Sequence, residues 1–170
     1  MIERYTLPEM GEIWSENSKF QTWLDVELAA CQANFELGKI TKEDLDQIKT
    51  KSKFNVERIK EIEKEVKHDV IAFLTNLNEY VGNAGRFIHV GMTSSDILDT
   101  GLSLQLRESC NLLINEIEEL ENSIRNLASQ HKDTLMIGRS HAIHGEPISF
   151  GFKLAGWLAE VIRDKKRLKD

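Results

Sequence analysis

Apolar residues recur along this chain at steps of three and four, the period of an α-helix buried on one side. Phe20, Trp23, Leu24, Leu28, Cys31 and Phe35 share one face of a first helix, which Gly38 is placed to stop. Thr41 opens a short helix carrying Leu45 and Ile48, with Asp44 at the capping-box position. Asn55 can cap a third, whose stripe runs Val56, Ile59, Ile62, Val66, Val70, Phe73, Leu74 and Leu77 before Gly82 and Gly85 end it. Arg86 to Met92 reads as a short extended connector. A long helix from about Ser95 to Gln130 follows, striped by Leu98, Leu102, Leu106, Leu113, Ile117, Leu120, Ile124 and Leu127. Thr134 to Gly145 reads as a loop or short extended piece. The last helix opens after Pro147 and carries Phe150, Leu154, Trp157, Leu158, Val161 and Ile162.

These patterns predict an all-α fold: an N-terminal helical domain over residues 1–92, then the start of a long central helix bundle over 93–170. Ile114, Ile117, Phe152 and Trp157 widen the stripes of the last two helices beyond what one partner helix would cover, which points to assembly between copies. The final helix has no stop signal and the chain ends at Asp170 within a charged stretch begun at Arg163. A longer parent protein is therefore expected.

With 170 residues, 41% of them hydrophobic, the chain can build a core. Its prolines are Pro8 and Pro147 alone, near the two ends, which suits long helices between them. The net charge of −6 argues against a general nucleic-acid surface but allows a local basic pocket for one phosphate. No stretch approaches the roughly 20 apolar residues of a membrane span, and residues 1–8 do not form a signal peptide. Cys31 and Cys110 lie far apart without metal-like spacing and read as reduced thiols of a cytoplasmic protein. No metal or cofactor is expected.

Chemistry concentrates where the helical pattern breaks. Gly138-Arg139-Ser140-His141-Ala142-Ile143-His144-Gly145-Glu146-Pro147 sets two histidines beside Arg139 and Glu146. Such histidines can transfer protons near neutral pH or simply bind backbone groups, and the two glycines permit close backbone approach to a ligand. His89 to Thr100 contains Thr93-Ser94-Ser95-Asp96. Thr93 or Ser94 can cap the long helix, and its N-terminal amides can also hold a carboxylate. Lys67-His68-Asp69 alone reads as a solvated helix face, and Arg4-Tyr5 alone carries no message.

Together these segments resemble the fumarase/aspartase superfamily. Arg4-Tyr5 and Lys67-His68-Asp69-Val70 point more narrowly to its adenylosuccinate lyase branch, and Pro8-Glu9-Met10, Trp14, Trp23 and Glu27 also match. The resemblance implies elimination of fumarate from adenylosuccinate to give AMP, and from the succinylaminoimidazole-carboxamide ribotide to give the free carboxamide ribotide. It implies that Arg4 lies near the nucleotide phosphate. Tyr5, Lys67, His68, Asp69 and His89 would line the nucleotide pocket, and Thr93 and Ser94 would hold a carboxylate of the succinyl group. His141 would be the general acid, with His68 a second catalytic histidine able to orient or charge it. Ala142 and Gly145 stand where the family often has Gly and Ala. The family's base, a serine on a glycine-rich mobile loop, has no counterpart in this chain. A homotetramer with active sites shared between subunits is implied as well. Another superfamily lyase, such as one cleaving argininosuccinate, lacks the need for Arg4-Tyr5 and Lys67-His68. A non-catalytic helical module would not need polar residues gathered in connectors.

Overall fold

The computed structural model describes residues 2–170, except the side chain of Glu3. It is helical apart from one small hairpin. A 3-10 turn over Glu3–Tyr5 leads into α1 (Pro8–Ile13), α2 (Glu16–Glu36), α3 (Lys42–Lys51), α4 (Val56–Val66) and α5 (Asp69–Val81). A 3-10 segment, Gly82–Phe87, precedes the long α6 (Ser94–Gln130), then β1 (Leu135–Ser140), β2 (Ile143–Ser149) and α7 (Phe150–Lys169). Contacts divide the chain into two compact units, 1–108 and 109–170, and α6 continues across the division.

Side-chain caps start the helices where the polar residues predict. Thr41 accepts from the Asp44 amide and Asn55 from Arg58; at α2 the cap is Ser15, which the sequence reading does not name and which accepts from the Ser18 amide. Gly38, at φ +74°, follows the end of α2. The core of the first unit centres on aromatic rings. Phe20 stacks on Phe73 at 5.7 Å between centroids, and Trp23 meets Phe73 edge-on at 5.5 Å. Ile48, Ile59, Val70, Leu77 and Ile97 are fully buried with them. Gly101 lets α6 press against α2, since a Cβ there would stand 2.8 Å from Trp23 Cδ1.

Two connectors differ from expectation, and a third settles between its two alternatives. The single helix expected over 55–81 is two, because Lys67 turns left-handed (φ 55°) and ends α4. His68 is extended and begins α5, its Nδ1 accepting from the Ile71 amide at 3.4 Å. The stripe Ile59, Ile62, Val66, Val70, Phe73 keeps helical phase through the break, so periodicity conceals it. The expected extended stretch 86–92 begins within the 3-10 segment and continues as a turn. The stretch 134–145, expected as a loop or short extended piece, takes the extended form: it supplies β1 and the start of β2 in an antiparallel hairpin over 135–149, and α7 starts at Phe150, capped by Ser149.

In the second unit, Gly151 packs its backbone against α6, where a Cβ would stand 2.5 Å from the Ala128 carbonyl. Glu121 of α6 ion-pairs with Lys165 of α7 and with Arg125 one turn along. Leu102, Leu106, Leu113, Leu120 and Leu127 of α6 stay exposed, as do Phe152, Trp157 and Ile162 of α7.

Candidate functional site

The first unit carries three of the four polar segments. Arg4 and Tyr5 are exposed in the opening 3-10 turn, the guanidinium lying over the Tyr5 ring at 4.7 Å. Lys67, His68 and Asp69 occupy the α4–α5 break, a tighter arrangement than a charged face within one helix. Lys67 donates its amide to the Glu63 carbonyl at 2.9 Å. Asp69 Oδ1 accepts the Val70 amide at 2.8 Å and lies 3.5 Å from His68 Nδ1. Backbone turning and capping thus present three different polar side chains within one turn of chain.

His89 is also left-handed, at φ 68°, and half-buried. Its anchor is Glu27, which is 1% exposed. One Glu27 oxygen accepts the His89 amide at 2.9 Å, and the other faces His89 Nδ1 at 2.7 Å. Burial pushes the Glu27 carboxyl above its ordinary range, against the pull of these His89 contacts. One turn further along α2, burial, seconded by the charge of Glu27, pushes the Cys31 thiol up to about 11. It is an inert thiol that meets the Phe87 carbonyl at 3.8 Å. Asn34 adds a contact to the Val90 carbonyl at 3.4 Å. Glu27, Cys31 and Asn34 therefore form a rack along α2 for residues 87–90. Sequence reasoning gave Glu27 no role. Its signal was a carboxylate between Trp23 and Cys31, at four-residue steps on an otherwise apolar face.

Thr93 and Ser94 stand at the start of α6. The capping bond here runs from the Thr93 amide to Asp96 Oδ2 at 2.8 Å, the carboxylate half of a capping box. The Thr93 and Ser94 hydroxyls are not needed for it.

The fourth segment belongs to the second unit. His141 and Ala142 are the two residues of the β1–β2 turn, bracketed by the pair Ser140↔Ile143. Their φ values are 52° and 59°, so both are left-handed, the geometry of a type I′ hairpin. Such turns favour glycine at both central positions. His141 is exposed at the tip. Arg139 pairs with His144 across the hairpin, Nη2 to Nε2 at 3.5 Å. Gly138 sits at a register shift, where a Cβ would stand 2.7 Å from the Glu146 carbonyl of the facing strand, so strand pairing itself requires a glycine there.

The four polar segments thus stand at an opening 3-10 turn, at two breaks between helices and at a hairpin tip. The family model described as lyase matches residues 3–170, and the chain belongs to that family. Among its relatives, adenylosuccinate lyase of Synechocystis sp. (strain ATCC 27184 / PCC 6803 / Kazusa) is 63% identical over 99% of this chain. Adenylosuccinate lyase of Aquifex aeolicus (strain VF5) is 50% identical over 99% of it. The chain spans 39% of the length of each. The crystal structure of a fumarate lyase from Mesorhizobium sp. BNC1 superposes with a TM-score of 0.89 at 31% identity, over 94% of this chain and 38% of that one.

Proposed function

We propose that the full-length protein eliminates fumarate from adenylosuccinate to give AMP, and from the succinylaminoimidazole-carboxamide ribotide to give the free carboxamide ribotide. The observation that carries this reading is 63% identity to an adenylosuccinate lyase across 99% of the chain. The residue chemistry supports it. Elimination removes a proton from the carbon beside a carboxylate, turns that electron pair into the new double bond and breaks the C–N bond. The departing nitrogen must then be protonated. His141, exposed on a rigid turn, suits the general acid, and His68 serves as a second catalytic histidine. Arg4 takes the phosphate, and Tyr5, Lys67, Asp69 and His89 contact the nucleotide. Thr93 and Ser94, with hydroxyls and helix-start amides, hold a succinyl carboxylate and stabilise the charge built up on it. The base comes from outside this chain.

The reading extends to a cytoplasmic homotetramer whose active sites draw on several subunits, with residues 93–170 opening its central bundle. The exposed leucines of α6 and Phe152 and Trp157 of α7 support such an assembly. No helix among the described residues is long and apolar enough to cross a membrane. The test is fumarate release, followed by ultraviolet absorbance, from each of the two substrates with full-length protein. Absence of turnover on both, under conditions where purine nucleotide fails to raise thermal stability, overturns the assignment.

A further inference from the structure

We propose that Glu27 is a positioning residue: it holds His89 left-handed with Nδ1 protonated, leaving Nε2 as the ring nitrogen that meets the anionic part of a nucleotide. The ligand in this proposal rests on the nucleotide-lyase reading; the clamp itself rests on geometry. A non-glycine residue at φ 68° is strained and persists only where its surroundings over-determine it. Glu27 does so at two points, taking the backbone amide at 2.9 Å and facing Nδ1 at 2.7 Å. Cys31 and Asn34 brace the residues on either side, at the Phe87 and Val90 carbonyls.

The chemistry follows from which nitrogen is engaged. A buried carboxylate only accepts, so the ring nitrogen facing it must carry hydrogen. With Nδ1–H directed at Glu27, Nε2 donates to an anionic oxygen only when it carries a proton of its own. The carboxylate offsets the charge of the imidazolium so formed, which then offers an N–H to a phosphate or carboxylate oxygen. The arrangement works as second-sphere carboxylates do for metal-bound histidines, by fixing tautomer and ring orientation.

The experiment uses full-length protein carrying 15N-labelled histidine, with His89→Ala to assign the ring signals. The wild-type ring should show a protonated Nδ1. In Glu27→Gln the carboxamide oxygen can keep the His89 amide, but its NH2 then faces Nδ1. Nδ1 should therefore lose its proton and Nε2 carry one. Glu27→Asp keeps the charge and should keep Nδ1 protonated. In turnover of adenylosuccinate, Glu27→Gln should raise KM about tenfold, the loss expected for one charge-assisted bond. Its kcat should stay within about twofold, as for an interaction made equally in ground and transition states. Glu27→Asp should recover part of the KM. Glu27→Gln combined with His89→Ala should be no worse than His89→Ala alone. A bare Nδ1 in the wild type, or additive KM losses in the double variant, overturns the proposal. A wild-type protein that releases no fumarate overturns the enzyme reading instead, and the ring nitrogens still decide the clamp.

Discussion

Glu27 and His89, 62 residues apart in the chain, are joined by a two-point contact from one buried carboxylate to a backbone amide and an imidazole. The contact binds α2 to the turn before α6 and fixes a histidine whose backbone geometry is otherwise unfavourable.

Its titration has a definite sign. Burial raises the folded-state Glu27 carboxyl above its ordinary 4.5. The folded protein therefore binds more protons than the unfolded chain between 4.5 and the raised value. The contribution of Glu27 to stability is complete below that window and is lost as pH rises through it. Glutamine does not titrate. The stability of wild type minus that of Glu27→Gln should therefore fall with rising pH across the window and level off above it. Urea midpoints over a pH series measure this, and a difference that grows with pH would mean that the His89 contacts outweigh burial.

Lys67 sets stability against affinity. Its left-handed conformation costs about 1–2 kcal/mol, which glycine does not incur, though glycine frees the unfolded chain by about 0.5–1 kcal/mol. Lys67→Gly should stabilise the full-length protein by up to about 1 kcal/mol in chemical unfolding. The same change removes a cation that the nucleotide reading places at the ligand, so KM should rise. A variant that loses both stability and affinity would show that the Lys67 side chain holds the α4–α5 break together.

Elements with one period and one cap were legible in the sequence. Thr41, Asn55 and the stripe of α2 specify local structure through contacts a few residues long. The breaks were not, because their causes are distant or backbone-borne. Val66 and Val70 continue one stripe across Lys67, and only φ reveals the turn there. The hairpin needed the facing of Gly138 and Glu146, which no periodicity over 134–145 announces. Polar candidates were found because they interrupt apolar patterns; Glu27 interrupts one too and was named for its match alone, because its role depends on His89, 62 residues away.

Gly138 should be intolerant for a reason of packing alone. A Cβ there would stand 2.7 Å from the Glu146 carbonyl, and backbone on both strands would have to shift. Gly138→Ala should destabilise by about 1–3 kcal/mol and lower turnover by misplacing the hairpin. Gly145→Ala is the control: the nearest atom to its Cβ is the Gly138 carbonyl at 3.6 Å, an ordinary contact. If the two alanine variants unfold at the same urea concentration, the close approach does not govern the hairpin.

The turn residues His141 and Ala142 separate presentation from chemistry. Both are left-handed, at φ 52° and 59°, though neither is glycine. For Ala142 that conformation costs about 1–2 kcal/mol. A glycine removes it but frees the unfolded chain by about 0.5–1 kcal/mol. The larger effect wins, so Ala142→Gly should be neutral to modestly stabilising, with turnover within about twofold if the strand register holds the turn by itself. His141→Ala should behave differently. A general acid acts mainly in the transition state, so kcat should fall by about 10²–10⁴ while KM moves little. Steady-state fumarate release from full-length variants distinguishes these outcomes. Retained turnover in His141→Ala would remove the acid from this position. A large loss in Ala142→Gly would instead place the strain itself in the mechanism, as the device that aims His141.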